Sequence, residues 1–178
     1  ITRLIKQNKH VFLLSCGTDY TSVKYALDKK LKYSILTPYF KNKALKNHYQ
    51  FILKYVSIPN KILHNFLFSK IKGVISSDLD YHIPLNGAPK YLGLIPNPIN
   101  IDALKYRQLL IGDKIIIFHG INTNNAIKKG NKFFTDALDI IKHKYQNKVD
   151  IIASEDLPYE AYMKAFESCH ILLDQVYS

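Results

Sequence analysis

Residues 115–130, IIIFHGINTNNAIKKG, decide the fold of this chain. They open with four β-branched or aromatic residues, too few for a helix, which predicts a strand buried on both faces. A polar loop follows His119 and Gly120, and beyond Lys128, Lys129 and Gly130 the apolar residues recur with the period of a helix. Ligands of open α/β sheets bind at the carboxyl end of a strand, where the next helix N-terminus attracts anions. The stretch indicates a phosphate site, although an ordinary turn with a solvated lysine pair explains the same residues and is preferred when they are taken alone.

The chain beyond Gly130 continues the alternation of helix and strand. Asn131 is the predicted N-cap of a helix whose apolar face is formed by Phe133, Phe134, Ala137, Leu138 and Ile141. A strand at 149–153, a helix opened by Pro158 and a strand at 170–176 follow. We therefore predict three parallel strands at about 114–119, 149–153 and 170–176, joined by right-handed crossovers as half of a doubly wound sheet.

The first part of the chain also shows short apolar runs. Residues 11–15 predict a buried strand that stops at a turn, Cys16-Gly17-Thr18-Asp19. The Asp19 carboxylate is either functional or the N-cap of the helix predicted over 23–32. Residues 73–77 predict another strand, and a polar loop is expected from there to about Lys90. Pro96 and Pro98 exclude regular structure at 96–100.

Residues 42–72 are basic and aromatic. Tyr49, Ile52, Leu53 and Val56 recur at helical spacing before Pro59, and Ile62 and Phe66 form a second apolar face. A basic amphipathic helix can lie on a membrane, but such a stripe more often faces a core, and that interpretation is preferred here.

Charge separates the chain into two parts. Residues 1–110 carry 17 Lys+Arg and 5 Asp+Glu, hence +12, whereas residues 111–178 carry 8 and 9, hence −1. The basic part predicts an anionic partner such as a membrane surface, a nucleic acid or a phosphorylated substrate, although solubility alone explains scattered lysines. Together with a change in composition, this places a domain boundary near residues 100–112.

Composition excludes several classes of protein. There is no run of eighteen apolar residues, and the two cysteines, Cys16 and Cys169, have no metal-ligand spacing. This argues against a membrane span, a disulfide scaffold and a zinc site, and it favours a reducing compartment. The start of the chain lacks an initiator methionine and the apolar centre of a signal peptide, so we expect a piece of a longer protein.

Five motifs follow one another in an informative order: LLSCGTD at 13–19, GVISSD at 73–78, LIPNPIN at 94–100, IIIFHGIN with KKGNKFFTDAL at 115–138, and HILLDQVYS at 170–178. In this order they resemble the GT-B glycosyltransferases, specifically glycosyltransferase family 4, a large retaining family with capsule and lipopolysaccharide enzymes. The resemblance implies an α/β protein of GT-B type with two Rossmann-like parallel-sheet domains, both incomplete here. Residues 1–110 would be the C-terminal half of the acceptor-side domain and the linker, and residues 111–178 the first β-α-β-α-β part of the nucleotide-sugar-binding domain.

The resemblance also implies roles for individual residues. Gly120, Asn122, Lys129 and Gly130, with Lys128 as the alternative lysine, would contact the donor diphosphate. Cys16, Gly17 and Asp19 would form the acceptor-side loop, with Asp19 as the catalytic candidate, and no metal is expected. Three departures from the family pattern stand out: Cys16 replaces a histidine, the usual arginine after Gly120 is missing, and the Glu-x7-Glu motif lies beyond Ser178, so the chain alone is expected to be inactive.

The expected activity is transfer of a sugar from a UDP- or GDP-linked donor to a glycan or lipid-linked acceptor in cell-surface polysaccharide or lipopolysaccharide synthesis. No other cofactor is implied. The expected location is the cytoplasm, with the inner face of an anionic membrane as a peripheral contact, and no nucleic acid partner is expected. Two alternatives remain open: another GT-B enzyme of nucleotide-sugars, such as a 2-epimerase, or a non-enzymatic basic module that binds membrane or nucleic acid.

Overall fold

The structure is a computed structural model that describes residues 1–102 and 108–177. It is mixed α/β, with two parallel sheets of three strands each. The chain divides into two compact units, the first made of Ile1–Lys32 and Asn42–Asn100 and the second of Tyr33–Lys41 and Ile101–Ser178. The domain boundary predicted near residues 100–112 falls in part on 103–107, which lie outside the described residues.

Helices and strands alternate along most of the chain. In chain order the elements are α1 (Thr2–Gln7), β1 (Phe12–Ser15), α2 (Tyr20–Leu27), α3 (Thr37–Lys41), α4 (Lys46–Leu53), α5 (Ile58–Lys70), β2 (Gly73–Ser76), α6 (Leu79–Leu85), β3 (Tyr91–Leu94), β4 (Ile115–Ile121), α7 (Ala126–Lys129), α8 (Asn131–Tyr145), β5 (Val149–Glu155), α9 (Tyr159–Ser168) and β6 (Ile171–Leu173). Short 3₁₀ turns lie at Lys43–Leu45, Lys54–Val56, Thr123–Asn125 and Gln146–Lys148.

The first unit contains a sheet with its strands in sequence order, β1-β2-β3. The strands predicted at 11–15 and 73–77 are confirmed as β1 and β2. Both crossovers run in the same direction, so right-handed connections place their helices on one face of the sheet. On that face Ile71, Val74 and Leu85 form a buried cluster. The side chains of Phe12 and Leu92 are more than half exposed, so part of the sheet is not covered within this unit.

The second unit contains a sheet with the order β5-β4-β6, all parallel. This confirms the three parallel strands of the sequence analysis, although β6 is shorter than the predicted 170–176. The two crossovers run in opposite directions and therefore lie on opposite faces. Accordingly Phe118 packs on Tyr162 of α9, whereas the next residue, His119, packs on Phe134 of α8, each with ring centroids 5.1 Å apart. Burial on both faces explains the run of apolar residues in β4.

Several predicted boundaries are corrected. The helix predicted over 23–32 is α2, which starts at Tyr20 and ends at Leu27, because Lys29 has φ +56° and cannot continue a helix. The polar loop predicted up to Lys90 contains the seven-residue helix α6. Asn131 is not an N-cap: Gly130 caps α8 in the left-handed conformation, and Asn131 is the first helical residue.

The preferred interpretation of 42–72 is only half right. Tyr49 and Ile52 of α4 are buried, as expected for a core-facing stripe, and the chain breaks before Pro59. No residue of α5 is fully buried, however, and Ile62 is 63% exposed. Of the second apolar face, Ile62 is therefore turned to solvent, whereas Phe66 is partly buried.

Candidate functional site

The loop after β1 holds the predicted acceptor-side residues. Cys16 is exposed, and the space beside Gly17 is open. Asp19 is the N-cap of α2: its Oδ1 accepts from the backbone N–H of Ser22 at 2.7 Å, and its Oδ2 accepts from the Ser15 hydroxyl at 2.6 Å. The hydroxyl of Ser22 completes a capping box with the Asp19 backbone. Both carboxylate oxygens are thus engaged, and the cap alone accounts for an aspartate at this position.

The loop after β2 reaches the same region, because the carboxyl ends of parallel strands meet at one edge. Asp78 caps α6 by accepting from the backbone N–H of Leu79 at 2.6 Å. Burial raises the pKa of Asp80, and the charge of Asp78 raises it further. Burial also raises the pKa of Tyr81, helped by the charges of Asp80, Asp19, Asp78 and Cys16. The two loops therefore form one acidic cluster.

Sequence reasoning found Asp19 in this cluster but missed Asp78, Asp80 and Tyr81. The signal was present: Asp78 follows a predicted strand just as the Cys16–Asp19 turn does, and parallel pairing brings the two strand ends together. No role was assigned because residues 78–90 were interpreted as a loop.

A cavity of about 460 Å³ lies beside α2 and α5 in the first unit. Its wall includes Tyr20, His64 and Phe68, which form an aromatic row with ring centroids 4.6 Å and 4.2 Å apart. Burial lowers the pKa of His64, and the charge of Asp19 opposes that shift. Three lysines, Lys24, Lys30 and Lys90, also line the cavity.

In the second unit the order β5-β4-β6 makes a topological switch point. The crossover after β4 leads towards β5, and the segment after β6 leaves on the opposite side of β4. In sheets of this order the ligand crevice lies between the carboxyl ends of the first strand and its later neighbour, here β4 and β6. The predicted diphosphate residues can be placed relative to this crevice.

Lys129 lies at the crevice. Its Nζ is 2.5 Å from Oδ1 of Asp174, the first residue after β6, and its side chain is 32% exposed. Lys128, in contrast, donates to the side chain of Asn125 at 3.0 Å within its own turn. Only Lys129 of the two has its ammonium group bonded beside the end of β6.

Gly130 joins α7 to α8. Its φ of +73° is a conformation that favours glycine, and a Cβ there would lie 3.0 Å from the ring of Tyr177. The N–H of Val176 donates to the carbonyl of Lys129 at 2.8 Å, and the Tyr177 ring packs on Phe133. The segment after β6 thus lies against the start of α8. This helix has no side-chain cap, so its N-terminal N–H groups are not satisfied by a capping side chain.

Two predicted residues do not take part in this arrangement. Gly120 is still within β4, and a Cβ there would lie 2.6 Å from the Tyr162 ring of α9, so packing is the reason for glycine. Asn122 is exposed and opens a 3₁₀ turn. Instead, Thr123 joins the loops after β4 and β5: its N–H and hydroxyl both donate to Asp156, at 3.0 and 2.5 Å.

Two buried polar side chains beside the crevice were not predicted. His119 is fully buried, and its Nδ1 lies 3.2 Å from the carbonyl oxygen of Leu173 in β6. If Nδ1 carries the proton and donates, Nε2 is left as an acceptor, and it has no partner among the described residues. Asn131 is 4% exposed, and both polar atoms of its amide also lack a partner there. Such groups cost stability, which is a reason to look for function nearby.

In the part of the chain that the structure describes, no group of His, Cys, Asp or Glu side chains is arranged to hold a metal ion. Within the same residues, no helix has both the length and the apolar character that crossing a bilayer requires. Neither the models of known protein families nor curated proteins nor solved structures yield a match to this chain. Function must therefore be argued from the geometry and the sequence motifs.

Proposed function

We propose that this chain is part of a GT-B glycosyltransferase that transfers a sugar from a nucleotide-sugar to a glycan or lipid-linked acceptor. The crevice between β4 and β6 would bind the donor diphosphate. The observation that carries the proposal is the position of Lys129, whose ammonium group lies beside the end of β6 while its backbone precedes the uncapped start of α8. The motif order quoted above supports the same assignment.

The chemistry follows from the charge that develops during transfer. As the bond to the sugar breaks, the nucleoside diphosphate gains negative charge. An ammonium group and a helix N-terminus aimed at that charge stabilise the transition state more than the ground state. Lys129 supplies the ammonium group, and α8 supplies the helix N-terminus.

The ion pair with Asp174 is compatible with this role. Asp174 is 63% exposed, and exposed ion pairs are worth only about 0–1 kcal/mol, so a diphosphate with several charges can displace one carboxylate. Until then Asp174 holds the lysine side chain at the crevice. We therefore expect the pair to exchange partners when a nucleotide binds.

Calorimetric titration of the chain with UDP and GDP tests the proposal. One of the two should bind, and Lys129→Ala should lower the affinity about tenfold, as for the loss of one charge-assisted hydrogen bond. Lys128→Ala is the matched control and should change affinity little, because Lys128 bonds within its own turn. In an active enzyme that contains this chain, Lys129→Ala should cost on the order of 2–4 kcal/mol in transition-state stabilisation. Absence of binding, or equal affinity in the Lys129→Ala and Lys128→Ala variants, would remove the phosphate assignment.

A further inference from the structure

The junction of α4 and α5 exposes several large apolar side chains. Phe51 near the end of α4 is 71% exposed, and Ile58 and Ile62 at the start of α5 are 76% and 63% exposed. Large apolar side chains are also exposed at 92–101, but no lysine lies among those, whereas lysines lie beside the exposed residues of this junction. Ile58 and Ile62 are four residues apart and therefore share one face of α5.

This exposure does not result from a missing inward face. In α4, Tyr49 and Ile52 are buried, whereas Phe51 points outward and its ring packs edge-on against Tyr55 at 5.8 Å. In α5 the rings of His64 and Phe68 pack against each other in a tilted arrangement, and His64 stacks on Tyr20 of α2. Each helix thus has an inward side of its own, and the exposed residues belong to a second, outward side.

The charge of the same segment points to the partner. Residues 42–72 contain six lysines and not one Asp or Glu. Lys54 and Lys61 are exposed and lie in sequence between Phe51 and Ile62, so cationic and aliphatic side chains alternate there. Lysines beside exposed isoleucines are typical of helices that lie in the interface of an anionic bilayer.

A nucleic acid fits this segment less well. Surfaces that bind nucleic acids pair lysine and arginine with hydrogen-bond donors and with aromatic rings that stack on bases. Exposed isoleucines have no counterpart in a phosphate backbone, but they gain from burial among acyl chains. The combination therefore selects lipid over nucleic acid.

We infer that the α4–α5 surface, defined as Phe51, Lys54, Ile58, Lys61 and Ile62, docks this protein on an anionic lipid bilayer. The isoleucines and the phenylalanine enter the boundary between headgroups and acyl chains, and the lysines contact the phosphates. Anionic lipids attract each lysine near the surface, and salt weakens that attraction. This inference is independent of the nucleotide site, because all five residues belong to the first unit.

Vesicle sedimentation tests the inference, with vesicles of phosphatidylcholine alone and of phosphatidylcholine mixed with phosphatidylglycerol. The chain should bind the mixed vesicles, bind them less at high salt, and leave the neutral vesicles largely unbound. Lys54→Glu with Lys61→Glu should lower the partition coefficient about tenfold or more. Lys142→Glu with Lys148→Glu makes the same change in net charge at exposed lysines of the second unit. This control pair should change the partition coefficient less than about twofold, because distant charges are screened.

The apolar contribution is tested separately. Ile58→Ser with Ile62→Ser should lower partitioning at least about tenfold, as expected for two isoleucines that leave a buried environment. Ile111→Ser with Ile140→Ser removes two equally exposed isoleucines outside this surface and should have little effect. Circular dichroism should show that all four variants keep the fold, since every substituted side chain is exposed.

Three results would overturn the inference. Equal binding to neutral and anionic vesicles would exclude an electrostatic role of the lysines. Equal losses of partitioning in the surface pairs and the control pairs would exclude the α4–α5 surface as the contact. If the chain binds neither kind of vesicle but binds a DNA duplex in a salt-sensitive way, the partner is a nucleic acid.

Discussion

The helices that begin at the carboxyl edges of the two sheets differ in their caps, although both sheets are parallel and three-stranded. In the first unit Asp19 and Asp78 are the N-caps of the helices after β1 and β2, and each carboxylate accepts from one N–H group in the first turn. In the second unit α8 starts at Gly130 with no side-chain cap and follows directly on Lys129. A helix N-terminus that is already capped by a carboxylate attracts an anion weakly, whereas a helix N-terminus that has no side-chain cap and lies beside an ammonium group attracts one.

The difference in strand order gives a topological switch point only to the second of the two described sheets. The order β1-β2-β3 sends both crossovers in one direction, so among the described strands of the first unit there is no switch point. The order β5-β4-β6 reverses direction at β4 and covers both faces of that strand, and the carboxyl end of such a strand is where open α/β sheets bind ligands. A switch point therefore arises only when the third strand pairs with the first strand on the side opposite to the second strand.

The largest expected effect tests the coverage of the two sheets. Phe118 in β4 is fully buried between β5 and β6 and packs on α9, so Phe118→Ala should cost about 3–5 kcal/mol in the free energy of unfolding. Phe12 in β1 is 54% exposed, so Phe12→Ala should cost about 1 kcal/mol or less. Urea denaturation of both variants measures the difference. Equal losses of unfolding free energy in the two variants would mean that the open face of the first sheet is covered in solution.

A smaller effect tests the contact between β4 and α9. A Cβ at Gly120 would lie 2.6 Å from the Tyr162 ring, so Gly120→Ala should cost about 1–3 kcal/mol through overpacking. Gly17, in the loop after β1, has open space beside it, and Gly17→Ala should stay within about 0.5 kcal/mol. Thermal unfolding of the two variants gives the comparison. If Gly120→Ala does not change the free energy of unfolding, packing does not require this glycine, and the interpretation that it admits a phosphate is favoured.

The sequence predicted the second unit better than the first, for a physical reason. Strands buried on both faces produce unbroken apolar runs, and the residues of β4 are therefore recognisable without any knowledge of their partners. In the first unit β3, with the sequence Tyr-Leu-Gly-Leu, was not predicted because Pro96 and Pro98 follow it closely. Helix α6 was missed because it is only seven residues long and contains Pro84.

The site residues were harder to predict than the strands. The sequence predicts that Lys129 contacts the donor diphosphate, and that role stays a prediction; its contact with Asp174 could not be predicted, because it joins residues 45 positions apart and depends on the strand order. His119 and Asn131 were not predicted to be polar groups in the interior, because their types are equally common in loops. Gly120 was assigned to the ligand, whereas the space beside it is filled by Tyr162, which only the packing of α9 reveals.

The next effect separates the two roles considered for Asp19. As a cap it accepts from Ser22 and Ser15, so Asp19→Ala should cost about 1 kcal/mol in the free energy of unfolding. Asp19→Asn keeps an acceptor for the Ser22 N–H and should retain most of that stability. Chemical denaturation of both variants gives this difference. If Asp19 acted in catalysis instead, an active enzyme containing this chain would lose turnover equally in the two variants.

The smallest effect concerns pH and again contrasts the two edges. Burial, and then the charge of Asp78, raise the pKa of Asp80 in the folded first unit. The folded state therefore holds this proton more tightly than the unfolded chain, so the ionised group opposes folding above its raised pKa, and the penalty disappears as the pH falls below the ordinary range of aspartate. At neutral pH Asp80→Asn should thus stabilise the protein, by less than about 0.5 kcal/mol, because the group is only partly buried and solvent screens its charge.

Asp156 in the second unit should respond in the opposite direction. The side-chain and backbone hydrogen bonds from Thr123 lower its pKa, so its contribution to stability is present above the ordinary range of aspartate and is lost as the pH falls through the lowered pKa. Asp156→Asn should therefore destabilise the protein at neutral pH and lose this effect in acid. Asparagine also tolerates the left-handed backbone of this position, where φ is +46°, so the comparison is not confounded by strain. Thermal unfolding of the parent and both variants from acid to neutral pH should give two difference curves of opposite sign that converge at low pH. Two curves of the same sign would mean that the carboxylates do not distinguish the two edges.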